Sequence, residues 1–304
     1  MLFRSLMSSL SSLRLNKNII ITEADKNMGI VVMDTQQYID EGLRQLNDEY
    51  TYQSTSMTAN RILALFKRQR EILDKHNQLF EQVSNNSKQL SSHAKYILQL
   101  HGDFEKALQT SNTEEEKSLL VHKYAAKFYL LMKMHKTPVV GRPIVSTVHS
   151  ATYFASKYLD KVLQPLLPLI PSYIQSSQHL IYQLEASSSP LYLPDDCVIL
   201  CADIESLYPN IPTDIGLQLV EKAVIELGEN FSEFRTPGFV KFVIELLKFV
   251  LKSNFFLFGS KWFHQIKGTA MGTPVAVPFA CLFVYAVEKS ALCQLAQEPI
   301  LYKR

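Results

Sequence analysis

An apolar run that ends on a carboxylate constrains the fold of this chain more than any other segment. Residues 197–204 read Cys-Val-Ile-Leu-Cys-Ala-Asp-Ile, and such a run predicts a buried strand. Asp203 would then lie at the end of the strand, where an unpaired carboxylate is costly to hold. A divalent cation would compensate this charge, because magnesium binds one or two protein carboxylates together with substrate phosphates. In the alternative, Asp203 caps a turn and Tyr208 belongs to the core.

The other patterns predict helices and strands that do not alternate regularly, which favours an α+β fold over a doubly wound sheet. Asp34 or Thr35 could cap the helix after the first strand, and residues 111–116 are typical of a helix start. Strands are predicted at 29–34, from Arg142 onward, and in a hairpin of 255–258 with 261–265. Helices are predicted at 58–110 with a break at 84–92, at 151–169, 213–227 and 237–252, and in the apolar run after Gly268.

Positive charge is concentrated in the middle of the chain. No Asp or Glu occurs between Lys117 and Leu159, and since the whole chain carries only +2, the remainder is net negative. A block of this kind attracts phosphate, and a solvated basic face is an equally weighted alternative. The basic residues of the block are Lys117, Lys123, Lys127, Lys133, Lys136, Arg142 and Lys157.

The cysteines favour buried free thiols in a reducing compartment. Cys197, Cys201, Cys281 and Cys293 lie mostly in apolar runs. No His or Cys pair stands near the first two to complete a zinc site.

Two stretches without acidic residues bear on the location of the protein. Residues 1–22 faintly resemble a transit peptide, although an amphipathic helix or an arbitrary fragment start is favoured. The run 268–287 is uncharged, but its apolar part from Val275 to Val287 is too short to span a membrane and contains Pro278. It therefore predicts a buried helix. No secretory signal is evident, and the protein is expected to be intracellular, in the nucleus or the cytoplasm.

A loop rich in glycine and threonine precedes that apolar helix. Residues 265–274 read Gln-Ile-Lys-Gly-Thr-Ala-Met-Gly-Thr-Pro. Two glycines allow close backbone approach, and a helix N-terminus offers free amides. A plain turn into a core helix is the alternative.

Two further segments combine turn residues with charge. Residues 131–146 form a basic, hairpin-like stretch, in which Arg142 suits phosphate through its planar fork; a surface hairpin is the alternative. Residues 23–34 (Glu-Ala-Asp-Lys-Asn-Met-Gly-Ile-Val-Val-Met-Asp) place Asp25, Lys26 and Gly29 in a tight polar turn before a strand.

In this order, the four segments resemble motifs of reverse transcriptases of the Penelope-like retroelement type, from about residue 22 to the end of the sequence. Ala-Asp-Ile-Glu-Ser-Leu-Tyr resembles motif A of that family. The resemblance implies that Asp203 is the catalytic carboxylate that holds the metals. It implies that the backbone of Ile204 contacts metal or triphosphate, and that Tyr208 screens the 2′-hydroxyl of the sugar.

The same resemblance implies contacts of the other segments with substrate. Lys133, Lys136 and Arg142 would bind the triphosphate. Mg²⁺ or Mn²⁺ is the implied cofactor, and RNA or DNA template-primer and deoxynucleoside triphosphates are the implied partners, with no membrane. The residues implied to support the template and the incoming base are Gln265, Gly268, Met271, Gly272, Thr273 and Pro274.

The resemblance further implies the fingers and a partial palm of a right-hand polymerase. Residues 1–115 would be an N-terminal helical extension of the fingers, residues 116–190 the fingers, and residues 191–304 the part of the palm that carries motifs A and B.

The aromatic-x-Asp-Asp motif of the family is absent from the sequence, as is the thumb. That motif supplies the other metal carboxylate and would follow Ile300-Leu-Tyr-Lys-Arg, where the sequence stops. Asp195 and Asp196 have the wrong order and spacing to replace it, and predict a solvated turn. We expect two-metal nucleotidyl transfer in the complete enzyme and no detectable polymerisation by this chain alone. The alternatives are a non-catalytic nucleic-acid-binding module and a relic that does not fold stably.

Overall fold

The computed structural model describes residues 12–13, 15–85, 88–185, 196–297 and 299–304. Across these residues, helices are combined with a mixed sheet. This confirms the predicted α+β class.

A five-stranded sheet has the strand order β3-β7-β6-β4-β5, and β1 pairs with β2 in a separate ribbon. The strands pair antiparallel, except that β4 runs parallel to β6. The hairpin predicted at 255–258 and 261–265 is confirmed as β6 and β7. The strands are β1 (Ile19–Glu23), β2 (Ile30–Asp34), β3 (Tyr52–Thr55), β4 (Ala126–Lys133), β5 (Val140–Ser146), β6 (Phe255–Phe258) and β7 (Lys261–Gln265).

The larger sheet joins parts of the chain that are far apart in sequence. Tyr52 of β3 lies opposite Gln265 of β7, while β4 and β5 come from the middle of the chain. The predicted segments 1–115, 116–190 and 191–304 therefore each contribute strands to one sheet. The strands β1 and β3 were not predicted from the sequence. Each is only four or five residues long and is a strand because it pairs with another segment, which a local pattern does not reveal.

The helices of the second half lie close to their predicted positions, whereas the predicted helix 58–110 is divided. One division falls at His76, after Lys75. The predicted break at 84–92 includes residues 86–87, which lie outside the described residues. The helices are α1 (Thr35–Leu46), α2 (Ala59–Lys75), α3 (Asn77–Asn85), α4 (Lys88–Thr110), α5 (Glu114–Lys123), α6 (Tyr153–Leu163), α7 (Ser177–Glu185), α8 (Leu207–Asn210), α9 (Thr213–Gly228), α10 (Ser232–Arg235), α11 (Phe239–Lys252) and α12 (Ala276–Leu292).

Two of the predicted helix starts are confirmed by their side-chain caps. The Asp34 carboxylate accepts hydrogen bonds from the backbone amides of Gln36 and Gln37 at the start of α1. Thr113 and Glu116 form a reciprocal capping box at the start of α5. Such caps satisfy amides that have no partner within the helix.

Three apolar cores stabilise the described part of the fold. The largest is formed mainly by helices, and Tyr158, Phe242 and Phe279 are fully buried within it. A second, around Phe66 and Phe104, packs α2 against α4 and α5.

The third core packs against the sheet, where the buried side chains of Leu130 and Met132 alternate with more exposed ones along β4. Burying a large apolar side chain contributes about 1.5–3 kcal/mol to stability. Because side chains alternate between the two faces of a strand, burial of Leu130 and Met132 directs Leu131 and Lys133 to the opposite face.

The apolar run after the glycine loop forms a buried helix, as predicted. Phe279 and Leu282 of α12 are fully buried. Within the described ranges, no helix is both long enough and apolar enough to cross a membrane.

The prediction that the cysteines are buried is wrong. All four are free thiols, but Cys201 and Cys293 are exposed and Cys197 and Cys281 are only partly covered. Cys197 and Cys201 are accessible because residues 197–204 do not enter the core. Cys293 follows the last turn of α12, beyond its buried face.

Candidate functional site

The hairpin β4–β5 directs two predicted site residues away from the core. Leu131 lies opposite Arg142 and Lys133 lies opposite Val140. Residues that face each other across an antiparallel pair point to the same side, and so do residues two apart in a strand. Lys133 and Arg142 are thus diagonal neighbours, about 7–8 Å apart at the backbone, on the face opposite to the buried Leu130.

Arg142 makes an ion pair that sequence reasoning missed. Its Nη2 lies 3.1 Å from Oδ2 of Asp25, and the side chain of Asp25 is buried while 39% of the Arg142 side chain is exposed. Asp25 occupies the turn between β1 and β2. The polar turn at Asp25, Lys26 and Gly29 is confirmed, but nothing in the sequence joins it to a residue more than a hundred positions away.

Tyr208 lies close enough to Arg142 for the guanidinium charge to act on its hydroxyl. It belongs to the one-turn helix α8 and is partly buried. Burial raises the pKa of the Tyr208 hydroxyl, the neighbouring Cys281 raises it further, and the positive charge of Arg142 offsets part of this effect. The phenol therefore stays neutral near the guanidinium at neutral pH.

The glycine-rich loop is fixed between Tyr208 and the sheet. The amide of Thr269 donates to the carbonyl oxygen of Tyr208 at 2.9 Å, and the amide of Val145 on β5 donates to the carbonyl oxygen of Met271 at 2.7 Å. Gly268 and Gly272 both have positive φ, of 73° and 102°. A Cβ on Gly272 would lie 2.6 Å from the carbonyl oxygen of Val145, so the close approach predicted for these glycines is present.

The two ends of the loop are held by internal hydrogen bonds. The side chain of Gln265 is buried. Its Oε1 accepts a hydrogen bond from Asn254 Nδ2 at 3.0 Å, and its Nε2 donates to the backbone carbonyl of Lys267 at 2.9 Å. Thr273 is buried, and its carbonyl oxygen accepts from the amide of Ala276 as α12 begins. Pro274 is partly buried beside it.

The predicted strand at 197–204 is wrong. These residues have no regular structure, and 81% of Val198 and 90% of Leu200 are exposed. An apolar run forms a strand only when a neighbouring strand satisfies its amides and carbonyls, and no described strand lies beside this one. Asp203 is consequently exposed in an irregular segment, as is Ile204.

The residues present do not by themselves make a metal site. Asp203 offers one carboxylate and Ile204 one carbonyl, and the described residues contain no group of three His, Cys, Asp or Glu that could hold a metal ion. Asp196 lies in an exposed turn, as predicted, and Asp195 lies outside the described residues.

The basic block is not one open surface. Lys117 pairs with Glu114, and Lys123 and Lys157 lie over tyrosine rings. In the part of the chain that the structure describes, Lys133 and the exposed Lys136 have no carboxylate partner. Lys136 lies in the turn three residues after the end of β4, and its amide donates to the carbonyl of Lys133 at 3.1 Å. The available positive charge therefore lies at the tip of the β4–β5 hairpin and beside it, at Arg142.

These contacts define an α+β protein with a polar site assembled from segments far apart in sequence and lying beside the lysines of the β4–β5 hairpin. We call Asp25, Arg142, Tyr208 and the loop 268–272 the four-segment site. Comparison with models of known protein families and with curated proteins gives no match.

Proposed function

We propose that this chain forms the fingers and part of the palm of a reverse transcriptase of the Penelope-like retroelement type, an RNA-directed DNA polymerase. One observation carries the proposal. Segments that resemble successive motifs of this family contact one another in the four-segment site, through the ion pair of Asp25 with Arg142 and the hydrogen bond of Thr269 with Tyr208. Contacts of this kind are expected of residues that share one substrate.

The proposed substrate of the four-segment site is a deoxynucleoside triphosphate. Arg142 presents a planar fork of donors that matches phosphate oxygens, and Lys133 adds a point charge on the same face. Lys136 lies one turn further along the hairpin. Tyr208, partly buried next to the loop, would act as the wall that excludes a sugar 2′-hydroxyl.

Template and primer would lie along the loop 265–274. The glycines there bring backbone close to neighbouring groups, and such positions allow a bound nucleotide to approach without a side chain intervening. Gln265 would act indirectly, since its amide is engaged by Asn254 and by the carbonyl of Lys267.

Polymerisation would require Mg²⁺ or Mn²⁺ in addition to these contacts. Asp203 would contribute one carboxylate. Because the described donors are insufficient by themselves, and the sequence lacks the aromatic-x-Asp-Asp motif, this chain alone is not expected to extend a primer detectably.

The test is a binding titration of deoxyadenosine triphosphate and of a labelled template-primer, each at several salt concentrations. We expect Lys133→Ala with Arg142→Ala to weaken triphosphate binding by roughly tenfold or more, because charge-assisted contacts are each worth about 1.5–3 kcal/mol. The matched control is Lys222→Ala with Arg235→Ala, which removes one lysine and one arginine from exposed positions on α9 and α10. Equal binding by both double variants and the native chain would contradict the proposal.

Primer extension supplies a second test. The native chain and Asp203→Asn are incubated with template-primer, all four deoxynucleoside triphosphates, and either magnesium or manganese. No product is expected from either protein. Product that depends on Asp203 would show that the chain is catalytic without a further carboxylate.

A non-catalytic nucleic-acid-binding module is the second candidate. The observation in its favour is that Lys133 and Lys136 are available for phosphate, whereas Asp203 is exposed and, among the described residues, belongs to no group of three His, Cys, Asp or Glu that could hold a metal ion. Such a module would bind template-primer with an affinity that falls steeply with salt and would not distinguish deoxynucleoside from ribonucleoside triphosphates. A preference for the deoxy form would favour the polymerase.

A further inference from the structure

Asp25 belongs to the four-segment site through its ion pair with Arg142, but the proposed function gives it no role of its own. It is 4% exposed, although an aspartate is rarely buried without compensation. Among the described residues, Arg142 supplies the positive charge in contact with it, at 3.1 Å. The Oδ2 atom lies within ion-pair distance of the guanidinium but is not aligned for a hydrogen bond, so Asp25 Oδ2 has no hydrogen-bond partner there.

The backbone around Asp25 is held in an unusual conformation. Lys26 and Asn27 have φ of 59° and 56°, a region that residues other than glycine seldom occupy. The turn is closed by a hydrogen bond of 2.9 Å from the amide of Ala24 to the carbonyl of Gly29. Conformations of this kind are unfavourable for residues other than glycine and persist where the surrounding structure enforces them. The rest of the structure therefore holds this turn in a locally unfavourable backbone conformation, and the turn places Asp25 next to Arg142.

The turn is also tied to the strand that carries Lys133. Ala24 forms a bridge with Met132, and the hydroxyl of Thr22 donates to the carbonyl of Leu130 at 3.2 Å. Asp25 is thus fixed relative to β4, while Arg142 extends from the neighbouring β5.

Asp25 contacts one nitrogen of the partly exposed Arg142 guanidinium, and no described residue accepts a hydrogen bond from its other N–H groups. A guanidinium has five N–H donors in a rigid plane. A carboxylate at one nitrogen restrains the long side chain without occupying the rest of the plane, and an arginine that is already ordered loses less entropy when it binds an anion.

We propose that Asp25 is a positioning residue, which holds the Arg142 guanidinium in the orientation that receives the phosphates of a triphosphate ligand. This inference rests on the proposed function, since it concerns the ligand assigned to the same site. It extends that function to a turn more than a hundred residues before Arg142 in the sequence.

The test measures binding of inorganic tripolyphosphate and of deoxyadenosine triphosphate by isothermal titration. We expect Asp25→Asn and Arg142→Lys each to weaken binding by about tenfold, because a charge-assisted contact that loses its geometry forfeits about 1.5 kcal/mol or more. In an Arg142→Ala background, Asp25→Asn should cause no further loss. Native-like binding by Asp25→Asn, or an equal loss in both backgrounds, would overturn the proposal.

A second measurement separates this inference from the proposed function. The Nε–H signal of Arg142, assigned by its loss in Arg142→Lys, reports the order of the guanidinium in the native chain without any ligand. We expect an ordered signal that becomes mobile in Asp25→Asn. If the native chain binds neither probe, the proposed function fails; if the Arg142 signal is mobile in the native chain or equally ordered in Asp25→Asn, the positioning role fails. The native-chain spectrum keeps the second test decisive even if Asp25→Asn does not fold.

Discussion

The amide of Thr269 donates a hydrogen bond of 2.9 Å to the carbonyl oxygen of Tyr208. This bond joins the glycine-rich loop to the turn that carries the tyrosine. The neighbouring Gly268 allows this close approach, because a side chain there would overlap with the backbone of Tyr208 and Pro209.

Replacement of Gly268 by alanine should therefore displace the loop from Tyr208. A Cβ there would lie 2.7 Å from Cα of Pro209, and the φ of 73° disfavours any side chain. We expect Gly268→Ala to lower the free energy of unfolding by about 1–3 kcal/mol, measured by urea denaturation. The matched control is Gly102→Ala in α4, where a Cβ would meet no atom within 4 Å and helix propensity predicts a gain of up to about 1 kcal/mol. Equal unfolding midpoints for Gly268→Ala and the native chain would contradict the contact.

Leu200 and Leu130 provide a direct test of the exposed segment. Leu200 is 90% exposed and Leu130 is fully buried. We expect Leu130→Ala to cost about 2–5 kcal/mol and Leu200→Ala to change the free energy of unfolding by less than about 0.5 kcal/mol. Both are measured by chemical denaturation of the purified variants. A large cost at Leu200 would mean that residues 197–204 are buried after all.

Glu41 should make stability depend on pH. Its Oε1 accepts a hydrogen bond of 3.0 Å from the amide of Gly141, which ties α1 to the β4–β5 hairpin. Burial raises the pKa of Glu41, but hydrogen bonds from Arg44, Gly141 and Gln45 together outweigh it and hold the pKa below its ordinary value of 4.5. The folded state therefore favours the carboxylate, and this stabilisation is present above pH 4.5 and is lost as pH falls through the lower pKa of the folded protein.

The measurement compares thermal unfolding of Glu41→Gln and the native chain between pH 7 and pH 3. We expect the variant to be less stable at pH 7 and the difference to shrink below pH 4.5. Glu71→Gln serves as a control, since Glu71 pairs with Arg68 on the exposed surface of α2 and such pairs contribute about 0–1 kcal/mol. A difference between Glu41→Gln and the native chain that is constant with pH would exclude this role.

The four thiols should differ in their reactivity toward N-ethylmaleimide. Cys201 and Cys293 are exposed and are expected to react first. Burial raises the pKa of the Cys281 thiol, an effect that nearby Arg304 only partly offsets, and the thiolate is the reactive form. Mass spectrometry of peptides from briefly labelled protein would give the order, with urea-unfolded chain as the reference in which all four react alike. Protection of Cys201 in the native protein would contradict its exposure.

Local patterns allowed much of the fold to be predicted. The hairpin 255–265, the start of α5 at Thr113 and the buried helix after the glycine loop depend on turn residues, caps and apolar period, which act over a few residues. Residues 197–204 show the limit of that reasoning. Their apolar character predicts a strand, but a strand also needs a neighbour, and the pattern of one segment carries no information about its partner.

The candidate site was predictable as a set of residue types and not as a set of contacts. Arg142, Tyr208 and Gly268 were identified from local chemistry and from resemblance. The ion pair of Arg142 with Asp25 depends on how β1 and β2 sit against β4, and this follows from packing across distant segments. Asp25 did stand out as a charged residue in a turn rich in polar residues, which was the one available signal.

The pairing of β3 with β7 has a consequence for how the chain is made. Tyr52–Thr55 must wait for Lys261–Gln265, roughly two hundred residues later, which at about 5–20 residues per second is on the order of ten seconds or more of translation. Through that interval the nascent β3 has amides and carbonyls without their native partner, and such edges invite pairing with other chains. Yield in the cell should accordingly depend on translation speed and on chaperones that protect the emerging N-terminal segment.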